Sequence, residues 1–333
     1  LLCTSFVSFD IILQYITGYD LFRFKSTHVW NSGPFGEEFI AGTYLKNFSF
    51  FSFFYIFETL KNKNFNIPLL TFTIVLHLVA ALLSGNRMPL LLFLFGCVLI
   101  LLLIKNLRVA MSLGLLFFLS ISFHIVKNDS YLKSSYEKLF NLNQYYKTSE
   151  INKDTSAKQD TKKELNKVTT PPPKEKEIKF LKFGVRGRLV LTAIAMWKEQ
   201  PLFGFGLKSF RVKCWDMLAK DNAEREITPR PQNIACANHA HNYYLELLGE
   251  TGIIGTSLII IFFLILLKDS FNYIKKYNQQ KNPEMILLLP VIILFFLEIW
   301  PLKSTGSFFT TWGATFFWLN AAMLIAAKTK KSP

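Results

Sequence analysis

Long apolar runs recur along the chain at a length that fits a bilayer. A spanning helix needs about 20 mostly apolar residues. Eight segments approach that length: Leu1–Gly18, Phe39–Phe57, Ile67–Leu83, Met88–Ile104, Leu107–Val126, Tyr243–Leu267, Met285–Leu302 and Ser307–Ala327. Gly42, Lys46 and Asn47 interrupt the second run, which predicts a broken or tilted helix there. The first run starts without Met and without a basic flank, so it does not read as a signal peptide. The expectation is an N-terminally truncated fragment of a longer protein.

Between the fifth and sixth runs the pattern changes. Asn141 to Lys179 is rich in Lys, Glu, Asn and Thr and contains Pro171–Pro173. It has few apolar residues to bury, which predicts a disordered linker. Phe180 to His241 recovers an amphipathic pattern. Leu189 to Trp197 is apolar, Arg188 and Lys198 flank it, and Pro201 ends it. A Gly204-Phe205-Gly206 turn and a short helix over Leu207–Ala219 are expected next. Basic amphipathic helices with aromatic residues lie at a headgroup interface. The expected organisation is five transmembrane helices over 1–126, a loop start and linker over 127–179, an amphipathic-helix loop over 180–241, three spans over 242–327 and a basic tail over 328–333.

Orientation follows from Lys and Arg in the short connections. One set holds Lys61, Lys63, Lys105, Arg108, Lys268, Lys275, Lys276, Lys281, Lys328, Lys330 and Lys331. The other holds Arg23, Lys25, Arg87 and Lys303. The first set is therefore expected on the cytoplasmic side. The long hydrophilic loop falls on the opposite side with Arg87, and its length exempts it from the charge rule.

Composition agrees. The 333 residues are 51% hydrophobic and only 18% charged, against about 25% charged in a soluble domain. An ordinary soluble enzyme, a disordered protein and a small disulfide-stapled domain are excluded. The net charge of +15 is accounted for loop by loop, so it does not call for nucleic acid.

The richest chemistry sits where the long loop enters the sixth run, in Asn238-His239-Ala240-His241-Asn242. Histidine takes a proton near neutral pH. A helix N-terminus there also favours a bound anion. His239 and His241 are two apart and are expected on different faces, which leaves one of them as a base. The competing reading is an interfacial pair satisfied by water. Asn242, Glu246 and Glu250 share one helix face. Carboxylates in a span usually face a bundle interior or wet cavity, and Glu246 as a snorkelling interfacial residue is the alternative. Gly249, Gly252 and Gly255 are expected to serve close helix packing.

Arg87, in Ser84-Gly85-Asn86-Arg87-Met88-Pro89, combines a charged donor fork with a helix start, which suits phosphate. Arg186 and Arg188 precede the amphipathic stretch. Each alone reads as a headgroup anchor or solvated cation. Together with His241 they fall on one expected membrane face, which points to a proton acceptor beside cations for a phosphate leaving group. His77, His124 and Glu298 are expected as packing or hydrogen-bonded residues. Cys214 and Cys236 are left open as a disulfide, since sequence does not fix their Cα separation. No metal-ligand spacing, P-loop, GxGxxG or GxSxG motif is present.

His241-Asn242, nine residues and then Gly252-Ile253-Ile254-Gly255 resembles the His-Asn/Ser/Gln-x9-Gly-x-x-Gly motif of the O-antigen ligase family. Arg188 through Trp197 to Pro201-Leu202-Phe203-Gly204-Phe205-Gly206 and Phe210 resembles that family's Arg, amphipathic helix and Pro-Leu-x-Gly-x-Gly segment. Ser84-Gly85-Asn86-Arg87 is similar to its Ser/Thr-Gly-Ser-Arg turn. The resemblance implies an all-α, GT-C-like integral membrane glycosyltransferase of the bacterial inner membrane, with its site facing the periplasm. Its donor would be an undecaprenyl-diphosphate-linked glycan, and its acceptor lipid A–core or a growing glycan. His241 would be the base. Arg87, Arg188 and Arg186 would bind the diphosphate, with His239, Asn242 and Glu246 in support. No cofactor or metal is implied. The partners are lipid-linked glycans and membrane lipids. A repeat-unit polymerase of the same family, a lipid-linked glycan transporter and a membrane scaffold are the rival readings.

Overall fold

The structure is a computed structural model. It describes residues 1–27, 29–61, 63–134, 184–227, 233–304 and 306–329. The expected linker Asn141–Lys179 and the end of the basic tail lie outside the described residues. Apart from an isolated bridge between Tyr19 and Lys25, the regular structure of the described residues is helical. The helices are α1 (Leu2–Thr17), α2 (Ala41–Thr59), α3 (Asn66–Leu83), α4 (Arg87–Leu103), α5 (Arg108–Asn128), α6 (Gly184–Glu199), α7 (Phe210–Ile227), α8 (Tyr243–Gln280), α9 (Pro283–Ile286), α10 (Leu289–Glu298) and α11 (Thr311–Thr329).

The chain divides into a helical unit, Leu1–Lys133 with Thr256–Pro333, and a loop unit, Ser134–Gly255. In the helical unit, α3 packs against α1, α2 and α5, while α10 packs against α2, α4 and α11. Its centre is aromatic. Phe50 and Phe53 meet Phe93, and Phe263, Phe295, Phe308 and Phe317 form a second cluster.

Among the described residues, three helices are long and apolar enough to cross a membrane: Asn66–Leu83, Lys105–Asn128 (α5 with the turn before it) and Tyr243–Gln280. Leu2–Thr17, Arg87–Leu103 and Gly313–Ala327 are apolar but shorter. The expected Met285–Leu302 run does not form one helix. It divides into α9, a turn and the ten-residue α10, every residue of which is buried. A helix that is apolar all round is buried, in a large core or as a membrane span, and α10 packs among α2, α4 and α11.

The second run departs from expectation in the opposite way. α2 is continuous through Gly42, Lys46 and Asn47. Lys46 is buried because Glu298, at the end of α10, accepts its ammonium hydrogen bond at 2.7 Å. Lys303 donates to the other Glu298 oxygen at 2.6 Å. A buried charge must be paired, and this shared carboxylate ties α2 to the end of α10. His77 is buried and stacks on Phe53 with centroids 5.6 Å apart. His124 pairs with Asn128 one turn on.

Candidate functional site

The loop unit has its own small core. α6 contributes Leu189, Ala193 and Met196; α7 contributes Phe210, Cys214 and Met217; the extended segment before α8 contributes Ile234, Ala235 and Ala240. Spacings of three and four place one apolar stripe of each helix inward. α6 starts before Arg188 and stops at Glu199, ahead of the predicted Pro201 block, and α7 runs further than expected, to Ile227. Two fasteners hold the extended segment. The Thr192 hydroxyl takes the N–H of Ala235 at 3.1 Å and lies 2.9 Å from that residue's carbonyl. Cys214 and Cys236 form a disulfide, with Cα atoms 5.2 Å apart, which answers the question left open by sequence.

The segment then turns into α8. Asn242 is the N-cap: its side-chain oxygen accepts from the N–H groups of Tyr244 (3.0 Å) and Leu245 (3.2 Å), and its carbonyl accepts from Glu246. This satisfies donors that a helix start leaves orphaned. His241, just before the cap, has φ 56°. A non-glycine residue in that region pays a steric cost and is a functional pointer when observed. The left-handed turn also breaks the alternation expected of residues two apart. The His239 and His241 rings are therefore neighbours, with centroids 4.2 Å apart, a correction to the divergent pair expected from spacing.

The glycine-rich motifs are joined to each other. The Phe205 N–H bonds to Gly249 O at 3.2 Å and the Gly206 N–H to Glu250 O at 2.8 Å. In return, the Ile253 N–H bonds to Pro201 O at 2.9 Å and the Ile254 N–H to Leu202 O at 3.3 Å. This lacing requires a break in α8, and Gly252 supplies it with φ 63° and ψ −168°. A Cβ on Gly252 would collide with the Leu202 carbonyl, and one on Gly204 with the Glu250 backbone. Gly252 is therefore a helix break and a backbone contact, which corrects its expected role in helix packing. A Cβ on Gly255 would collide with the Thr251 side chain one turn back in its own helix.

Glu246 and Glu250 are both buried. Glu250, expected on one helix face with Glu246, has a backbone-capping role. Its carboxylate accepts the N–H groups of Lys208 (2.6 Å) and Phe210 (3.0 Å) and so caps the start of α7. The signal that marks it in sequence is its place at i+8 from Asn242, on the same face as Glu246.

Among the cations, Arg188 is half-buried and Arg186 exposed. Two positions apart on α6, they lie on different faces and do not form one cluster. Leu189, next to Arg188, and Ala240, next to His241, share the loop unit's core, so Arg188 and the histidine pair belong to one packed body. Arg87 belongs to the helical unit. It is the half-buried first residue of α4, at the end of a braced turn. Asn86 donates to Phe39 O at 3.0 Å, Ser84 donates to Ala81 O at 2.8 Å, and Asn31 donates to Leu83 O at 2.6 Å. No group of three or more His, Cys, Asp or Glu suited to a metal occurs among the described residues.

Among curated proteins none matches the chain. The family model described as O-antigen ligase matches residues 72–260, a stretch that contains the Arg87 turn, the α6–Gly206 segment and the His241-to-Gly255 motif. That match covers more than half of the sequence and its motifs coincide with the laced loop unit, so the chain belongs to the O-antigen ligase family.

Proposed function

We propose that this protein transfers a glycan from an undecaprenyl-diphosphate carrier to a sugar hydroxyl of lipid A–core, at the periplasmic face of the bacterial inner membrane. The proposed frame is a GT-C-like bundle of about eight spans. His241 removes the proton from the acceptor hydroxyl. That oxygen attacks the anomeric carbon with inversion, and the lipid diphosphate leaves. Arg188 and Arg87 balance the charge that grows on the departing diphosphate, and Arg186 guides the anion toward them. The donor carries its own activated leaving group. The tasks left to the protein are deprotonation, worth about 10²–10⁴-fold, positioning of two lipid-linked substrates and electrostatic stabilisation.

The observation that carries this reading is the conformation of His241. It holds a left-handed backbone directly before a capped helix, with a second imidazole against its ring. Asn242 fixes the helix start, and buried Glu246 lies one turn into that helix.

The test is transfer by purified His241→Ala protein from a lipid-linked donor to lipid A–core. Loss of transfer with intact membrane insertion supports the proposal; undiminished transfer ends it. Offering lipid-linked repeat units as the acceptor in the same assay separates ligase from polymerase, because both chemistries use the same base and cations.

A further inference from the structure

A basic cleft in the helical unit lies apart from every residue assigned above. It occupies about 580 Å³. Lys61 and Lys63 enter it from the turn between α2 and α3, Asn106 from the turn between α4 and α5, and Lys281 from the end of α8. These connections are distant in sequence, and the last two are fastened together: the Asn278 side chain donates to Leu103 O at 2.7 Å and accepts the Lys105 N–H at 3.3 Å. A general excess of lysine on one side of a membrane protein needs no such convergence. Here three lysines line one concavity, and Glu58 lies 4.0 Å from Lys61.

Two further features define what fits. Asn66 lines the cleft and is 8% exposed, and its side-chain oxygen has no hydrogen-bond partner. A buried acceptor without a donor is costly, so the occupant should bring a hydroxyl. Phe57 and Ile67 form an apolar wall beside the cations, and Ile67 and Phe65 are exposed. Cations, one buried acceptor and an apolar exit describe an amphiphile with an anionic, hydroxylated head.

We infer that this cleft is a binding site for an anionic phospholipid whose phosphodiester carries a hydroxylated headgroup, of the phosphatidylglycerol type. The lysines hold the phosphate, Asn66 accepts from a headgroup hydroxyl, and the acyl chains leave along Ile67. Basic pockets between membrane helices are suited to such headgroups. The site is independent of what His241 does.

The experiment is native mass spectrometry of the full chain released from nanodiscs of mixed phosphatidylglycerol and phosphatidylcholine. Wild type should retain phosphatidylglycerol selectively. Lys61→Gln/Lys63→Gln/Lys281→Gln should weaken retention by roughly a hundredfold, at about fivefold per lysine, while the triple arginine variant retains it. In nanodiscs that also contain phosphatidic acid, Asn66→Leu should narrow the preference for phosphatidylglycerol over phosphatidic acid, and an unchanged preference overturns the role of the headgroup hydroxyl. Equal retention of both lipids by wild type, or unchanged retention by the glutamine variant, overturns the assignment. Displacement of the lipid by inorganic phosphate alone would also overturn it, because the site would then be one for a simple anion.

Discussion

The carboxylate of Glu250 accepts the backbone N–H of Phe210 at 3.0 Å, so a residue of α8 caps the first turn of α7. With its second oxygen on Lys208, it also fixes the end of the Gly204–Gly206 turn. The caps of α7 and α8 thus lie within one laced structure, and the histidine pair is mounted on it.

Glu250→Ala should loosen this structure. Two N–H donors lose their acceptor at a cost of about 1–3 kcal/mol each where they are buried, while Glu250→Gln retains an acceptor oxygen and should lose less. Hydrogen exchange is the measurement. Faster exchange at Lys208 and Phe210 is expected in the alanine variant, with α3 amides unchanged; equal protection in both variants would contradict the capping role.

His241→Gly separates strain from chemistry. Glycine adopts a positive φ without steric cost, so this variant should unfold no earlier than wild type, and relief of up to about 1 kcal/mol is expected. Transfer should fall by about 10²–10⁴-fold. Thermal unfolding in detergent, read beside the transfer assay, checks both halves. Marked destabilisation with retained transfer would make His241 a structural residue.

The cysteines should divide by redox state. Alkylation of the denatured, unreduced protein is expected to label Cys3 and Cys97 alone, and prior reduction should add Cys214 and Cys236. The bond closes a loop of 22 residues in sequence separation, so a Cys214→Ser/Cys236→Ser variant should lose about 3 kcal/mol in stability of the loop unit. Limited proteolysis of the extended segment before α8 reads that loss. Full labelling without reduction would contradict the pairing in the membrane-isolated protein.

The shared carboxylate in the helical unit predicts an order of damage. Glu298→Gln leaves the Lys46 and Lys303 ammonium groups buried side by side, at about 3–5 kcal/mol. Lys46→Met leaves Glu298 paired with Lys303 and should cost less. Thermal aggregation temperatures of the two variants in detergent test that order, and the reverse order would contradict it.

Much of this was legible from residue pattern. The apolar runs of Ile67–Leu83 and Leu107–Val126 became α3 and α5 nearly end to end, because backbone in such a run satisfies itself only as helix. The motif residues were legible through their resemblance to the O-antigen ligase family. What misled was local logic applied to non-local contacts. Lys46 looked like an interruption because its partner, Glu298, is distant in sequence. Met285–Leu302 looked like one helix because hydropathy does not register the turn between α9 and α10. Gly252 looked like a packing residue because its contact, the Leu202 carbonyl, belongs to another motif.

Sequence by itself determined the helical class, through composition and periodicity, and, through the resemblance of its motifs, the family and the identities of the histidine and arginine candidates. Tertiary structure alone decided that His239 and His241 are ring neighbours, that Cys214 meets Cys236, that Glu250 caps α7, and that three lysines share a cleft. Each of those depends on backbone dihedrals or on chain segments folded back from afar, and pairwise distance in space is not a function of residue order.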